Sequence, residues 1–124
     1  MYSISTPHAP RPDGPYSQGS SAARYLFVSA QGPEDPVTGG VVDGSIGVQT
    51  VRALGNMEAV LEEVGLGIEA VCKLTLWLTD LDDLPSVDEV LTERLEKPYP
   101  ARSVCEVSRL PKGARIQIEC VACR

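Results

Sequence analysis

The sequence predicts an α+β fold, a two-layer sandwich in which two helices pack on one face of a single mixed sheet, in the order β(β)αβαββ. Three observations predict it. Thr50, Leu54, Met57, Leu61 and Val64 repeat at spacings of four and three, as do Leu84, Val87, Leu91 and Leu95, so each set forms one apolar helical stripe. Stretches 24–31, 71–79 and 101–123 instead alternate with the period of two of a half-buried strand. Turn residues separate these segments: Gly32-Pro33, Gly39-Gly40, Gly65 and Lys97-Pro98-Tyr99-Pro100. With 124 residues and no repeat or linker, the chain reads as one domain over 1–124.

Residues 9–18 hold Pro10, Pro12, Gly14 and Pro15, and so read as an irregular lead-in. Within it, Gly14-Pro15-Tyr16-Ser17-Gln18 is either a turn with one packed tyrosine or a loop presenting a phenol and a hydroxyl to a cleft. Residues 24–31 form a strand, with Tyr25, Phe27 and Ser29 alternating against Leu26, Val28 and Ala30. A turn at 37–40 leads to a short strand at Val41-Val42. The first helix spans 45–64, capped by Ser45 or Asp43 and closed by Gly65. Residues 71–79 form a strand whose Cys72, Leu74, Leu76 and Leu78 face the helix. Its other face carries Val71, Lys73, Thr75, Thr79 and the single tryptophan, Trp77. That face is rather apolar for open solvent, and no third helix remains to cover it, which points to self-association. The second helix spans 83–95, with Asp83 as cap and Pro85 in the first turn.

The segment 100–123 reads as two strands joined by a tight turn at Pro111-Lys112-Gly113. Arg102, Val104 and Glu106 share one face of the first; Gln117, Glu119 and Val121 share one face of the second. In a hairpin with an even loop, Arg102 pairs opposite Val121 and lies diagonal to Glu119, about 7–8 Å away. Such a pair is either a cross-strand ion pair or a site, with a guanidinium to grip a carboxylate and a carboxylate to orient water.

The formal net charge of −6 argues against a nucleic-acid-binding surface, which requires clustered Lys and Arg. The N-terminal stretch has no apolar signal-peptide core and no run reaches the roughly 20 residues of a membrane helix, so a cytoplasmic location is expected, with no membrane partner. Cys120 and Cys123 have redox or zinc spacing, but a strand would send them to opposite faces. With His8 the only histidine, no metal site is expected, and the four thiols are expected to be buried or semi-buried.

Taken together, Gly14-Pro15-Tyr16-Ser17-Gln18, Val28-Ser29-Ala30-Gln31, Asp35-Pro36-Val37-Thr38-Gly39, Thr79-Asp80-Leu81-Asp82-Asp83, Pro100-Ala101-Arg102-Ser103 and the run from Glu106 to Gly113 resemble the Rid family (reactive intermediate deaminase, also named for YjgF). The resemblance covers about residues 9–124. It implies a chorismate-mutase-like fold assembled as a homotrimer, with a small-molecule site in each cleft between subunits. It further implies hydrolysis of enamine and imine compounds, such as 2-aminoacrylate and 2-iminopropanoate, to 2-oxo acids and ammonia without a cofactor. By the same resemblance, Arg102 binds the substrate carboxylate and Glu119 positions or activates water, as the catalytic pair. Tyr16, Ser29, Ala30, Gln31, Asp88, Ser103 and Val104 line the cleft. The chain departs from the family pattern at Val104, where a cysteine is frequent, at Asp88, where asparagine is common, and at Ala30, where glycine is common. Its segment 92–99 is also shorter and less aromatic, changes that bear on which imino acid fits. Two other readings stand beside it: a non-catalytic trimeric binder of small 2-oxo or related carboxylates, which uses the same cleft and Arg102, and an endoribonuclease, which the acidic charge disfavours.

Overall fold

The computed structural model describes residues 1–124. Six strands form one sheet: β1 (Tyr2–Ile4), β2 (Gly19–Ala22), β3 (Tyr25–Gln31), β4 (Val71–Leu78), β5 (Ala101–Glu106) and β6 (Ile116–Cys123). Helices α1 (Ile46–Glu62) and α2 (Leu84–Arg94) complete it. The strand order is β1-β2-β3-β6-β4-β5, and the only parallel neighbours are β4 and β5.

This order corrects the expected hairpin. β5 and β6 are not neighbours; β4 lies between them. The physical reason lies in the connections. The segment β4–α2–β5 is a strand–helix–strand crossover, which lays β5 parallel beside β4. That leaves the other edge of β4 free, and β6 enters there, antiparallel to both β4 and β3. The nine residues from Val107 to Arg115 are long enough to carry the chain across, and Pro111–Gly113 forms a short 3-10 turn rather than a hairpin loop.

The expected helices are present. Ser45 caps α1 by accepting from the Val48 N–H, and its C-terminus closes with Leu66 N–H to Leu61 O and Gly65 N–H to Glu62 O, Gly65 taking φ +77°. Thr50, Leu54, Met57 and Leu61 are buried as the stripe requires, while Val64 is only partly covered. In α2, Val87 and Leu91 are buried and Leu84 and Leu95 flank them. Asp83 does not cap α2 through its side chain; both its carboxylate oxygens instead accept from Arg115 Nη2, at 2.8 and 2.9 Å.

Three further expectations are corrected. Val41-Val42 is not a strand, only a single bridge from Val41 to Glu34. The N-terminus adds β1 and β2, which lack the alternation that would announce them. A register shift between Val71 and Lys73 puts Val71 in the core and leaves Cys72 exposed, so Cys72 is not part of the apolar face.

The core lies between the helices and one sheet face, with Leu26, Val28, Leu74, Leu76, Leu78, Ile116 and Ile118 almost fully buried. The other face has no cover: Tyr25 and Phe27 are 49% and 44% exposed, Val121 stands beside Phe27 half-buried, and Trp77 lies half-buried toward the other end of the same face. Gln18 locks the lead-in onto the sheet. Its side chain accepts from Thr6 N–H at 2.7 Å and donates to the carbonyls of Thr6, Ala9 and Pro10.

Replacing Gln18 with Ala should therefore leave several backbone groups unpaired, at a cost of about 1–3 kcal/mol. Denaturant unfolding measures the loss, and hydrogen exchange should rise at residues 2–10; unchanged exchange there would show that other contacts hold the segment.

Candidate active site

Arg102 lies on the edge strand β5 and shares its row with Leu74 of β4. Paired residues project to the same side, so Arg102 points to the helix face. There it meets α2, and its Nη1 pairs with Asp88 Oδ1. The two side chains remain 37% and 39% exposed. They stand at the rim of a cleft of about 320 Å³ walled by Leu74, Leu91, Leu95 and Tyr99. Val104, two residues along, points the same way and packs on the core. Ser103 points to the opposite face, where its hydroxyl accepts from Lys73 Nζ at 3.0 Å.

Glu119 lies elsewhere. It pairs with Thr75 of β4, the row that also holds Ser103. Cys120, next along β6, shares the row of Leu74 and Arg102. Arg102 and Glu119 are thus two strands apart, roughly 10 Å in the pairing direction, and on opposite faces. The expected diagonal pair does not exist within one chain. Trp77 Nε1 instead donates to Glu119 Oε1 at 2.8 Å.

On the far side of Glu119, β3 carries a bulge. Val28 pairs with Cys120 and Gln31 with Ile118, so Ser29 and Ala30 together oppose Glu119. The extra residue returns Gln31 to the helix side, where it is 5% exposed and donates only to Ser29 O, at 3.2 Å. Gln31 is therefore a buried support beneath the bulge, not an open lining residue. Ser29 is tied to the lead-in twice: its Oγ donates to Ser17 O at 2.7 Å, and its N–H donates to Gln18 O at 2.9 Å. That brings Tyr16 to the same end of the sheet, half-exposed, with its phenol donating to Asp13 Oδ1 at 3.1 Å.

The sequence-predicted residues therefore fall into two groups. Arg102 and Asp88 line the helix-side cleft at β5, while Val104, on the same strand face, packs on the core. Tyr16, Ser29, Ala30 and Glu119 gather on the open face around the bulge. Trp77 and Gln18, which hold Glu119 and the lead-in, were not among the predicted site residues. Trp77 does stand on the same strand face as Thr75, and that position could have flagged it.

Near the second group, burial raises the Tyr16 phenol above its usual value, with Asp13 as a further influence. Burial likewise raises Glu34; Lys112 opposes the rise and Asp13 adds to it. Asn56 of α1 fixes the backbone here, donating to the carbonyls of Gly32 and Glu34 at 3.0 and 2.8 Å. Among the cysteines, burial pushes the Cys120 thiol up to about 12, so it is an inert core group. No cluster of three or more His, Cys, Asp or Glu side chains is arranged to hold a metal ion.

The sequence model of the family described as Endoribonuclease L-PSP matches residues 6–124. A RutC family protein of Pyrococcus abyssi is 44% identical over 119 residues, spanning 96% of this chain and 94% of that protein. A human protein named 2-iminobutanoate/2-iminopropanoate deaminase is 39% identical over 119 residues, spanning 96% of this chain and 87% of the relative. Among solved structures, E. coli TdcF with bound serine superposes with a TM-score of 0.94 at 34% identity, covering 100% of this chain and 99% of that one.

Because Glu34 binds its proton more tightly folded than unfolded, its charge penalises the native state as pH rises through the unfolded value near 4.5. Glu34→Gln should raise the melting temperature at pH 7, and the gain should shrink as the pH falls through the raised folded value toward 4.5 and be absent well below it. Thermal melts across that range decide it; a gain that does not change with pH would mean that the charge is not the cause.

Proposed function

The chain belongs to the Endoribonuclease L-PSP family, the Rid or YjgF family, and from that premise we propose that it hydrolyses 2-imino acids to 2-oxo acids and ammonia. The observation that carries the reading is Arg102, a half-exposed guanidinium at the mouth of a mostly apolar cleft. Arg is suited to hold a carboxylate by two parallel hydrogen bonds. Relatives named for imine deamination at 39% and 37% identity support the reaction class.

In the proposed reaction, the enamine first takes a proton from solvent on its terminal carbon to give the protonated imine. Water then adds to the protonated imine carbon, forming a C–O bond, and one water proton passes to Glu119. The proton returns to nitrogen and the C–N bond of the carbinolamine breaks; as the carbonyl forms, the hydroxyl proton passes to Glu119 or water and ends on the departing ammonia as ammonium. Atoms balance with one water consumed and no cofactor. The substrate is already electrophilic, so orientation of its acid end and of water supplies most of what the site must provide.

Arg102 and Glu119 face opposite sides of one sheet, so the proposed cleft forms between copies of the chain. One copy supplies Arg102 and Asp88; its neighbour supplies Glu119, Tyr16 and Ser29. The uncovered face bearing Tyr25, Phe27 and Val121 supports self-association, and a homotrimer is the assembly we propose. No helix is long and apolar enough to cross a membrane, and a cytoplasmic location is proposed with it. The net charge of −6 weighs against RNA cleavage despite the family's name.

Ammonia and 2-oxo acid release from imines generated in situ by an amino-acid oxidase tests the reading. Arg102→Ala should lower kcat/KM by at least roughly 100-fold, since it removes two charge-assisted hydrogen bonds. The melting temperature should barely move, because the exposed pair with Asp88 contributes about 1 kcal/mol or less. Arg102→Lys should also lose roughly tenfold, a point charge being a poor substitute for the fork. Unfolding of Arg102→Ala would make Arg102 structural. No turnover in a well-folded wild-type assembly would favour the carboxylate-binding reading.

A further inference from the structure

Asp88 stands on α2 between the buried Val87 and Leu91, at the flank of the helical stripe that meets the edge strand. From there its carboxylate reaches the Arg102 guanidinium. Both side chains are more than a third exposed, so the pair is held by proximity and charge rather than by enclosure. The contact engages Nη1 alone, leaving the rest of the fork open toward the cleft. An incoming carboxylate meets this arrangement in one of two ways. It displaces Asp88 from Nη1, or it takes the free edge and leaves two carboxylates flanking one guanidinium. Either route penalises a ligand whose only charge is negative. A ligand that also carries a cationic nitrogen next to its carboxylate gives Asp88 a partner as Arg102 is taken.

We propose that Asp88 is the specificity-determining residue of the Arg102 site, selecting ligands that pair a carboxylate with an adjacent protonated nitrogen over plain carboxylates. The inference rests on the carboxylate-binding role proposed above for Arg102. It makes the site discriminate a protonated imino acid from its own 2-oxo acid product, which keeps the carboxylate and loses the nitrogen. Asn at this position would hydrogen-bond to Arg102 without competing as an anion, and would remove the discrimination.

Titration calorimetry of the assembled protein with 2-oxobutanoate and 2-aminobutanoate tests this, the two probes sharing a skeleton and differing in the nitrogen. Asp88→Asn should bind 2-oxobutanoate roughly fivefold more tightly than wild type, the scale of an exposed ion pair, and 2-aminobutanoate more weakly. The ratio of the two affinities should thus move by about tenfold or more, and Asp88→Ser should move it the same way. An unchanged ratio, with both ligands bound and Arg102→Ala abolishing both, overturns the role of Asp88 and leaves the Arg102 site standing. Absence of binding to wild type and both Asp88 variants, or binding that survives Arg102→Ala, removes the carboxylate site itself and this inference with it.

Discussion

The structure depends on β6 being paired on both edges. It takes β3 on one side and β4 on the other, and so joins the N-terminal strands to the crossover unit that carries β5. β3 and β4 run in the same direction with a gap one strand wide, because the helix between them returns the chain to its starting end. The last strand fills that gap. Its strict alternation then decides everything on either side: Ile116, Ile118, Cys120 and Ala122 close the core, while Gln117, Glu119 and Val121 are committed to the opposite face.

That commitment divides the candidate site. A carboxylate at Glu119 and a guanidinium at Arg102 are separated by strand geometry that no side-chain rotation can undo. If the two act together, they do so across a boundary between chains, and the site exists only where the assembly does. Activity in the proposed reading is then coupled to self-association, and dilution below the assembly threshold removes it without unfolding any protomer.

Much of this was legible in the residues. The period of each helix named its buried stripe, and the alternation of β3, β4, β5 and β6 assigned side chains to faces almost throughout. The position of Arg102 on its strand and its company with Val104 were read correctly; its shared face and strand pairing with Glu119 were not. Adjacent strands in sequence separated by Pro and Gly suggest a hairpin, and only the parallel pairing of β4 with β5 excludes it. Bulges were also invisible. One extra residue at Ser29-Ala30 and a register shift at Cys72 each invert the expected orientation of a neighbour, burying Gln31 and exposing Cys72. β1 and β2 are short, and part of what holds them is pairing and the Gln18 side chain, neither of which leaves a periodic signal.

The indole of Trp77 donates its only N–H to Glu119, and the chain has no other tryptophan. The protein therefore carries an intrinsic optical probe wired to one carboxylate. A change in the charge of Glu119, or a ligand or neighbouring chain that draws it away, alters the field at that single chromophore. Its emission reports on the open sheet face without any label, and in the proposed assembly on the Glu119 side of the shared cleft.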